Sequence, residues 1–155
     1  MRYLLSLILL VGCGSSPVDY QVEYVDHDPR SNEVDEELLE YVEQFGAEFE
    51  CIDVSDVPPR FEALELPRIG VCKTWTTTSR SYHEILIDPD TWDDMSDTRR
   101  ELLMYHELGH CLLEMDHSDD RDSIMYPSIM NEERAKAYKA DRSKYLEEFH
   151  QVAGC

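Results

Sequence analysis

Two histidines and a glutamate are the residues of this chain best suited to carry chemistry: His106, Glu107 and His110. Histidines four positions apart project from the same face of a helix, because one turn takes about 3.6 residues. Two such imidazoles can hold a zinc ion, and a glutamate directly after the first histidine can act as a base beside it. The spacing therefore predicts a metal-dependent hydrolase.

Two further features follow the HELGH segment. A third histidine, His117, stands seven residues after His110, and Met125 lies in the sequence SIMYP at residues 123–127. From residue 85 to residue 128 the chain resembles the metzincin metallopeptidases, most closely the matrixin branch, which combines an HExGH helix, a third histidine and a turn reading MYP. The resemblance implies zinc bound by His106, His110 and His117, with Met125 packed beneath the metal and not bound to it.

The spacing departs from the family pattern HExxHxxGxxH at two positions. Leu113 stands where the family has glycine, and Asp116 stands where it has the third histidine. One interpretation is that a residue has been inserted, so that His117 is the ligand; this keeps the family's distance from the third histidine to Met125. The other is that Asp116 is the ligand, since a carboxylate can bind zinc. Because leucine adopts positive φ only at a cost, we expect the helix to run longer and turn near residues 114–116.

The resemblance also implies a mechanism. Zinc lowers the pKa of a bound water to about 7, and Glu107 accepts its proton and passes it to the leaving amine. The predicted function is a zinc-dependent endopeptidase acting on peptides or proteins. The alternative is a non-catalytic envelope lipoprotein that uses the fold for structural zinc or protein binding. The presence of Glu107 favours the enzyme, because a structural zinc site does not require a base. A third ligand from Glu132 or Glu133, as in gluzincins, would leave His117 unexplained.

The elements around this motif predict an α+β, metzincin-like fold. Residues 102–115 form a helix that is apolar almost all round and is therefore buried. Residues 69–75 and 83–89 are rich in β-branched and aromatic side chains and predict an antiparallel hairpin. Helical periodicity predicts one helix over residues 33–51 and another over 132–150. The sheet, mostly antiparallel or mixed, packs on the first helix and the active-site helix. The resemblance to the matrixins implies that residues 85–87 are candidates for binding an extended substrate by strand addition. We expect His83 to be an exposed strand residue.

The N-terminus predicts export. Residues 1–12 combine Arg2 with an apolar run too short to span a bilayer permanently, which is typical of a signal peptide. The segment ends in LVGC, which resembles the lipobox of bacterial lipoproteins, so Cys13 is the expected lipidation site. Residues 13–32 are polar and predict a flexible tether, with a possible edge strand at residues 21–25, and residues 33–155 form the catalytic domain. We therefore expect a lipid anchor in the bacterial cell envelope, at the outer membrane or cell surface.

Charge and cysteines narrow the partners and the compartment. The formal charge is −20, from 34 acidic against 14 basic residues, and this balance disfavours binding to nucleic acid. After removal of the signal peptide and lipidation of Cys13, the other cysteines predict two disulfides in an exported chain. Three pairings are possible, and we favour Cys51–Cys72 with Cys111–Cys155.

Overall fold

The fold is a four-stranded mixed sheet packed on helices, seen in a computed structural model that describes residues 20–26, 28–30, 33–127 and 131–155. The strand order is β1-β3-β4-β2. The predicted α+β class is confirmed. The elements are β1 Tyr20–Tyr24, α1 Glu36–Glu48, β2 Pro59–Phe61, β3 Gly70–Thr76, β4 Ser81–Ile87, α2 Pro89–Asp93, α3 Asp97–Leu113, α4 Glu132–Ala140 and α5 Arg142–Ala153.

The predicted hairpin is confirmed as the antiparallel pair β3 and β4, in which Gly70 is opposite Ile87 and Thr76 is opposite Ser81. Helix α3 contacts β3 and β4 on one side and helices α1, α4 and α5 on the others. Its middle is buried throughout from Leu102 to Cys111. The expectation of a helix surrounded by protein is therefore confirmed, and any polar side chain on it must have a partner.

Two outer strands complete the sheet beside the hairpin. Strand β1 pairs in parallel with β3, and β2 pairs in parallel with residues 85–87 of β4, on the edge away from β3. The prediction that residues 85–87 bind an extended substrate by strand addition is wrong, because those residues already have strands on both sides. The possible edge strand near residue 21 is confirmed as β1. Because β1 lies inside the predicted tether, part of that segment belongs to the sheet.

The C-terminal region forms two helices, so the prediction of one continuous helix is wrong. Asp141 separates α4 from α5 with a φ of −145° and a ψ of 58°, well outside helical values. The change of direction lets Tyr138 on α4 and Phe149 on α5 both reach buried positions in the core. No glycine or proline marks this break in the sequence.

The predicted signal peptide and the lipidation site Cys13 lie outside the described residues. Within the described part of the chain, no helix has the length and apolarity that a membrane span requires.

Candidate metal centre

His106 and His110 lie on the buried face of α3, and a backbone carbonyl fixes the orientation of each ring. His106 Nδ1 donates to the Ile124 carbonyl at 2.8 Å, and His110 Nδ1 donates to the Met115 carbonyl at 2.6 Å. Because a carbonyl only accepts, both Nδ1 atoms carry the proton and both Nε2 atoms present a lone pair in the neutral rings. This is the tautomer that a metal-binding histidine requires.

A left-handed residue ends α3 and directs the chain towards the third histidine. Glu114 has φ 51° and ψ 32°, and the amides of Glu114 and Met115 both donate to the Gly109 carbonyl. The helix thus turns at Glu114 and not at Leu113, which confirms the expectation of a longer helix with a later turn. His117 follows the left-handed residue by three positions, the same separation as between glycine and the third histidine in the family pattern.

The turn brings three imidazoles together. His106 Nε2 lies 3.2 Å from His117 Nε2 and 3.2 Å from His110 Nε2. Nitrogen ligands about 2.0–2.1 Å from zinc at the tetrahedral angle are about 3.3–3.4 Å apart, so these separations fit a zinc ion. Two lone pairs that face each other at this distance repel, and a cation between them makes the arrangement favourable. The donor set and spacing therefore fit zinc.

The other candidate third ligands lie away from this cluster. Among the described residues, the group close enough to share a metal with His106 and His110 contains His117 and not Asp116. Asp116 is exposed, and Glu132 and Glu133 are exposed at the start of α4. The side chain of Glu132 is within 3.9 Å of Arg99.

Comparison with known proteins agrees with this geometry. The family model described as matrixin matches residues 69–149, more than half of the chain. The chain belongs to the matrixin family. No curated protein and no solved structure gave a significant match. Matrixins as a family are zinc-dependent metallopeptidases.

In this matrixin the methionine turn packs against α3, the helix that carries His106 and His110. Met125 is fully buried, and a methyl group added to Gly109 would lie 2.7 Å from its sulfur and 2.9 Å from a ring carbon of Phe149. The side chains of Met125 and Phe149 thus explain the glycine inside α3. Ser118 N–H donates to the Met125 carbonyl at 2.9 Å. This bond fixes the segment after His117 to the turn.

The turn itself is held by polar contacts from the C-terminal helices. Glu148 on α5 accepts a hydrogen bond from Ile124 N–H at 2.7 Å, and Arg134 on α4 donates to the Ser123 carbonyl at 2.7 Å. Burial lowers the pKa of the Arg134 guanidinium. Because the Ile124 carbonyl orients His106, these contacts connect the last two helices to the geometry of the centre.

Glu107 lies on the side of α3 that faces β3. It is 1% exposed, and its carboxylate rests against Gly70 at the start of that strand. The sequence prediction did not include Gly70 or the carbonyls of Ile124 and Met115. A glycine inside a strand pattern, which often marks a close approach, was the available signal for Gly70.

The disulfides differ from the favoured pairing. Cys72 bonds to Cys111 and Cys51 bonds to Cys155, so the prediction of Cys51–Cys72 and Cys111–Cys155 is wrong. Cys72 faces inward from β3 onto α3, where Cys111 is its neighbour, while Cys51 and Cys155 follow the ends of α1 and α5. The pairing therefore follows which cysteines lie close together in the folded protein, and not which are neighbours along the chain.

The Cys72–Cys111 disulfide also removes the second group of described side chains that could otherwise hold a metal ion. The sulfurs of Cys72 and Cys111 lie near a nitrogen of His83, but they are bonded to each other. His83 is half-buried and not exposed as expected, and its Nδ1 lies 3.0 Å from the hydroxyl of Thr74, which is opposite it in the β3–β4 pair. Burial lowers the pKa of His83.

Proposed function

We propose that this matrixin is a zinc-dependent endopeptidase, with His106, His110 and His117 as the metal ligands and Glu107 as the general base. One observation carries the proposal: His106 Nε2 lies 3.2 Å from both His110 Nε2 and His117 Nε2, and the Nδ1 atoms of His106 and His110 donate to backbone carbonyls. Family membership supports zinc as the metal.

The protein residues divide the chemistry between them. When bound, zinc supplies Lewis acidity, which lowers the pKa of a water and polarises a peptide carbonyl. Glu107 takes a proton from the attacking water and gives it to the leaving amine. The carboxylate is buried beside the histidine cluster, where a low dielectric strengthens its interaction with developing positive charge. Met125 keeps its sulfur on Gly109 and supports the helix from the other side.

The cellular setting of this proposal is the bacterial cell envelope, reached through a lipid on Cys13 after removal of residues 1–12. The support is the LVGC segment and the two disulfides, which are typical of an exported protein. Cys13→Ser should move the protein from the membrane fraction to the soluble fraction and abolish incorporation of labelled palmitate. Retention of the label in Cys13→Ser would overturn the anchor.

Cleavage and zinc content test the enzymatic proposal together. Residues 14–155 should bind one zinc per chain and cleave a denatured protein, and Glu107→Gln should keep the zinc and lose at least 100-fold in rate, which is the contribution expected of a general base. Zinc binding with no cleavage by either form would favour the non-catalytic alternative.

The third ligand has its own matched pair of variants. His117→Ala should lose zinc on dialysis against a weak chelator, whereas Asp116→Ala should keep it. The reverse result would assign the site to Asp116.

A further inference from the structure

Glu107 meets an unusual neighbour on the strand beside it. A methyl group at Gly70 would lie 2.5 Å from Glu107 Oε1 and 3.0 Å from its Cγ and Cδ atoms. The conformation of the strand does not require glycine, since Gly154 is the one described glycine with positive φ. Gly70 is therefore needed for space, and the group that fills the space is the carboxylate of Glu107.

The strand cannot move away to make room. Gly70 pairs with Ile87 in the antiparallel ladder of β3 and β4. Just before it, the Ile69 carbonyl accepts a hydrogen bond from Asp88 N–H at 3.0 Å. Strand β4 is in turn covered by β2, so a retreat of Gly70 would disrupt paired backbone on both sides of β4.

The helix cannot move away either. The disulfide joins Cys72, two residues after Gly70, to Cys111, four residues after Glu107, with the two Cα atoms 5.5 Å apart. Two residues along a strand and four residues along a helix cover a similar length. The disulfide therefore also fixes the distance between β3 and α3 beside Glu107. On its opposite side α3 meets Met125 and Phe149 at Gly109, which leaves no space behind it.

We propose that Gly70 is a positioning residue for the general base, and that the Cys72–Cys111 disulfide makes it one. The disulfide holds β3 against α3, and the missing side chain at position 70 leaves one place for the Glu107 carboxylate. A side chain at position 70 would clash with the Glu107 carboxylate. Because strand and helix are both held, displacement of that carboxylate would relieve the clash. This inference rests on the proposed role of Glu107.

Gly70→Ala tests the proposal in the oxidised, zinc-loaded protein. The expected result is a fall in kcat of about 10- to 100-fold, as for a reacting group moved by about 1 Å. KM and zinc affinity, measured by competition with a chelator, should stay within about twofold, because the histidines are not displaced. Gly46→Ala is the matched control, since Gly46 lies on α1, away from the centre, and its new methyl would lie 2.7 Å from the side chain of Val54. It should alter stability and leave kcat unchanged.

The role of the disulfide is tested by a double-mutant cycle. In a background carrying Cys72→Ala and Cys111→Ala, β3 and α3 are no longer joined covalently and only packing keeps them together. A small separation of strand and helix can then relieve part of the clash, so Gly70→Ala should lower kcat at least threefold less than it does in the oxidised protein. An equal loss in both backgrounds would overturn the role of the disulfide. If the background does not fold, a crystal structure of oxidised Gly70→Ala decides, because the proposal requires a displaced Glu107 carboxylate with an unchanged distance between β3 and α3.

The outcomes separate this inference from the proposed function. A wild-type protein that cleaves, with a Gly70→Ala variant of equal kcat, would overturn the positioning role alone. A wild-type protein without cleavage would count against the enzyme, and the crystal structure of Gly70→Ala would still show whether Glu107 is the group that moves.

Discussion

The turn at Glu114 gives the sharpest prediction, because the proposal of His117 as the third ligand depends on a left-handed residue at position 114. Glu114 adopts φ 51°, a conformation that costs a residue with a side chain about 1–2 kcal/mol. Glycine removes this cost, but its greater conformational freedom favours the unfolded state by about 0.4–1 kcal/mol. Glu114→Gly should therefore stabilise the fold by about 0.5–1 kcal/mol.

Leu113→Gly is the matched variant, because it introduces the family's glycine at the position given by the family pattern. Leu113 is the last residue of α3 and packs partly on the core. Glycine there should cost about 1 kcal/mol in helix propensity and about 1 kcal/mol more in lost apolar burial, so the variant should be destabilised by about 2 kcal/mol. The two neighbouring substitutions thus have opposite signs.

Urea unfolding of the metal-free protein, with the disulfides intact, measures both values without a contribution from zinc binding. A stabilised Leu113→Gly together with a destabilised Glu114→Gly would refute the reasoning, because the turn would then lie one residue earlier. His117 would in that case stand four residues after the turn, and its assignment as ligand would lose its structural support.

Three other substitutions test the packing beside the centre and the pH dependence of the stability of the fold. Gly109→Ala gains about 1 kcal/mol of helix propensity but presses on Met125, and since overpacking costs about 1–3 kcal/mol, we expect a net loss of stability in urea. Tyr138 donates to Glu101 at 2.8 Å, and burial raises its pKa above the ordinary value of about 10. Its stabilising effect is present below pH 10 and is lost as pH rises, so Tyr138→Phe should lose less unfolding free energy between pH 7 and pH 11 than the wild type. Burial raises the pKa of Asp88, but hydrogen bonds from the amides of residues 64 and 91 and from the residue 91 hydroxyl outweigh it and lower the pKa. The contribution of ionised Asp88 to stability is present above about pH 4 and is lost on acidification. Asp88→Asn should therefore lose less unfolding free energy between pH 5 and pH 2 than the wild type.

Each of these has a contradicting result. A more stable Gly109→Ala would mean that Met125 moves aside freely. Alkaline losses as large in Tyr138→Phe as in the wild type would exclude the phenol as their source. An unchanged acid profile in Asp88→Asn would show that other carboxylates dominate it.

Local patterns predicted the elements whose partners are close in sequence. The hairpin of β3 and β4 and the buried helix α3 follow from alternation and periodicity over a few residues, and both are confirmed. The choice between Cys72 and Cys155 as the partner of Cys111 depends on which face of β3 meets α3. Periodicity identifies an inward face but does not say which element packs on it, so the pairing was predicted wrongly.

The break at Asp141 shows a second limit of the sequence. The apolar positions of α4 and α5 follow one helical period, and no residue between them excludes helix. The chain bends because the partners of the two helices lie in different places. Tyr138 on α4 donates to Glu101 on α3, while Phe149 on α5 packs on Phe45 and Phe49 at the C-terminal end of α1. A straight helix would have to abandon one of these contacts, and the gain from burying both exceeds the loss of helical bonds at one residue.

The proposed insertion of one residue before Glu114 can be understood from helix geometry. One more helical residue advances the end of α3 by about 1.5 Å and rotates it by about 100°. A third ligand at a fixed distance from the turn would then point elsewhere unless the connection corrected the rotation. The Met115 carbonyl accepts from His110 Nδ1, and Ser118 N–H donates to the Met125 carbonyl, so both ends of this connection are held to the centre. The three residues between Leu113 and His117 thus absorb the change, and His117 Nε2 remains 3.2 Å from His106 Nε2. Loss of the Ser118–Met125 bond, for example in Ser118→Pro, should therefore weaken zinc binding more than the same substitution at exposed Asp119, and equal chelator competition in the two variants would show that the bond does not hold His117 in place.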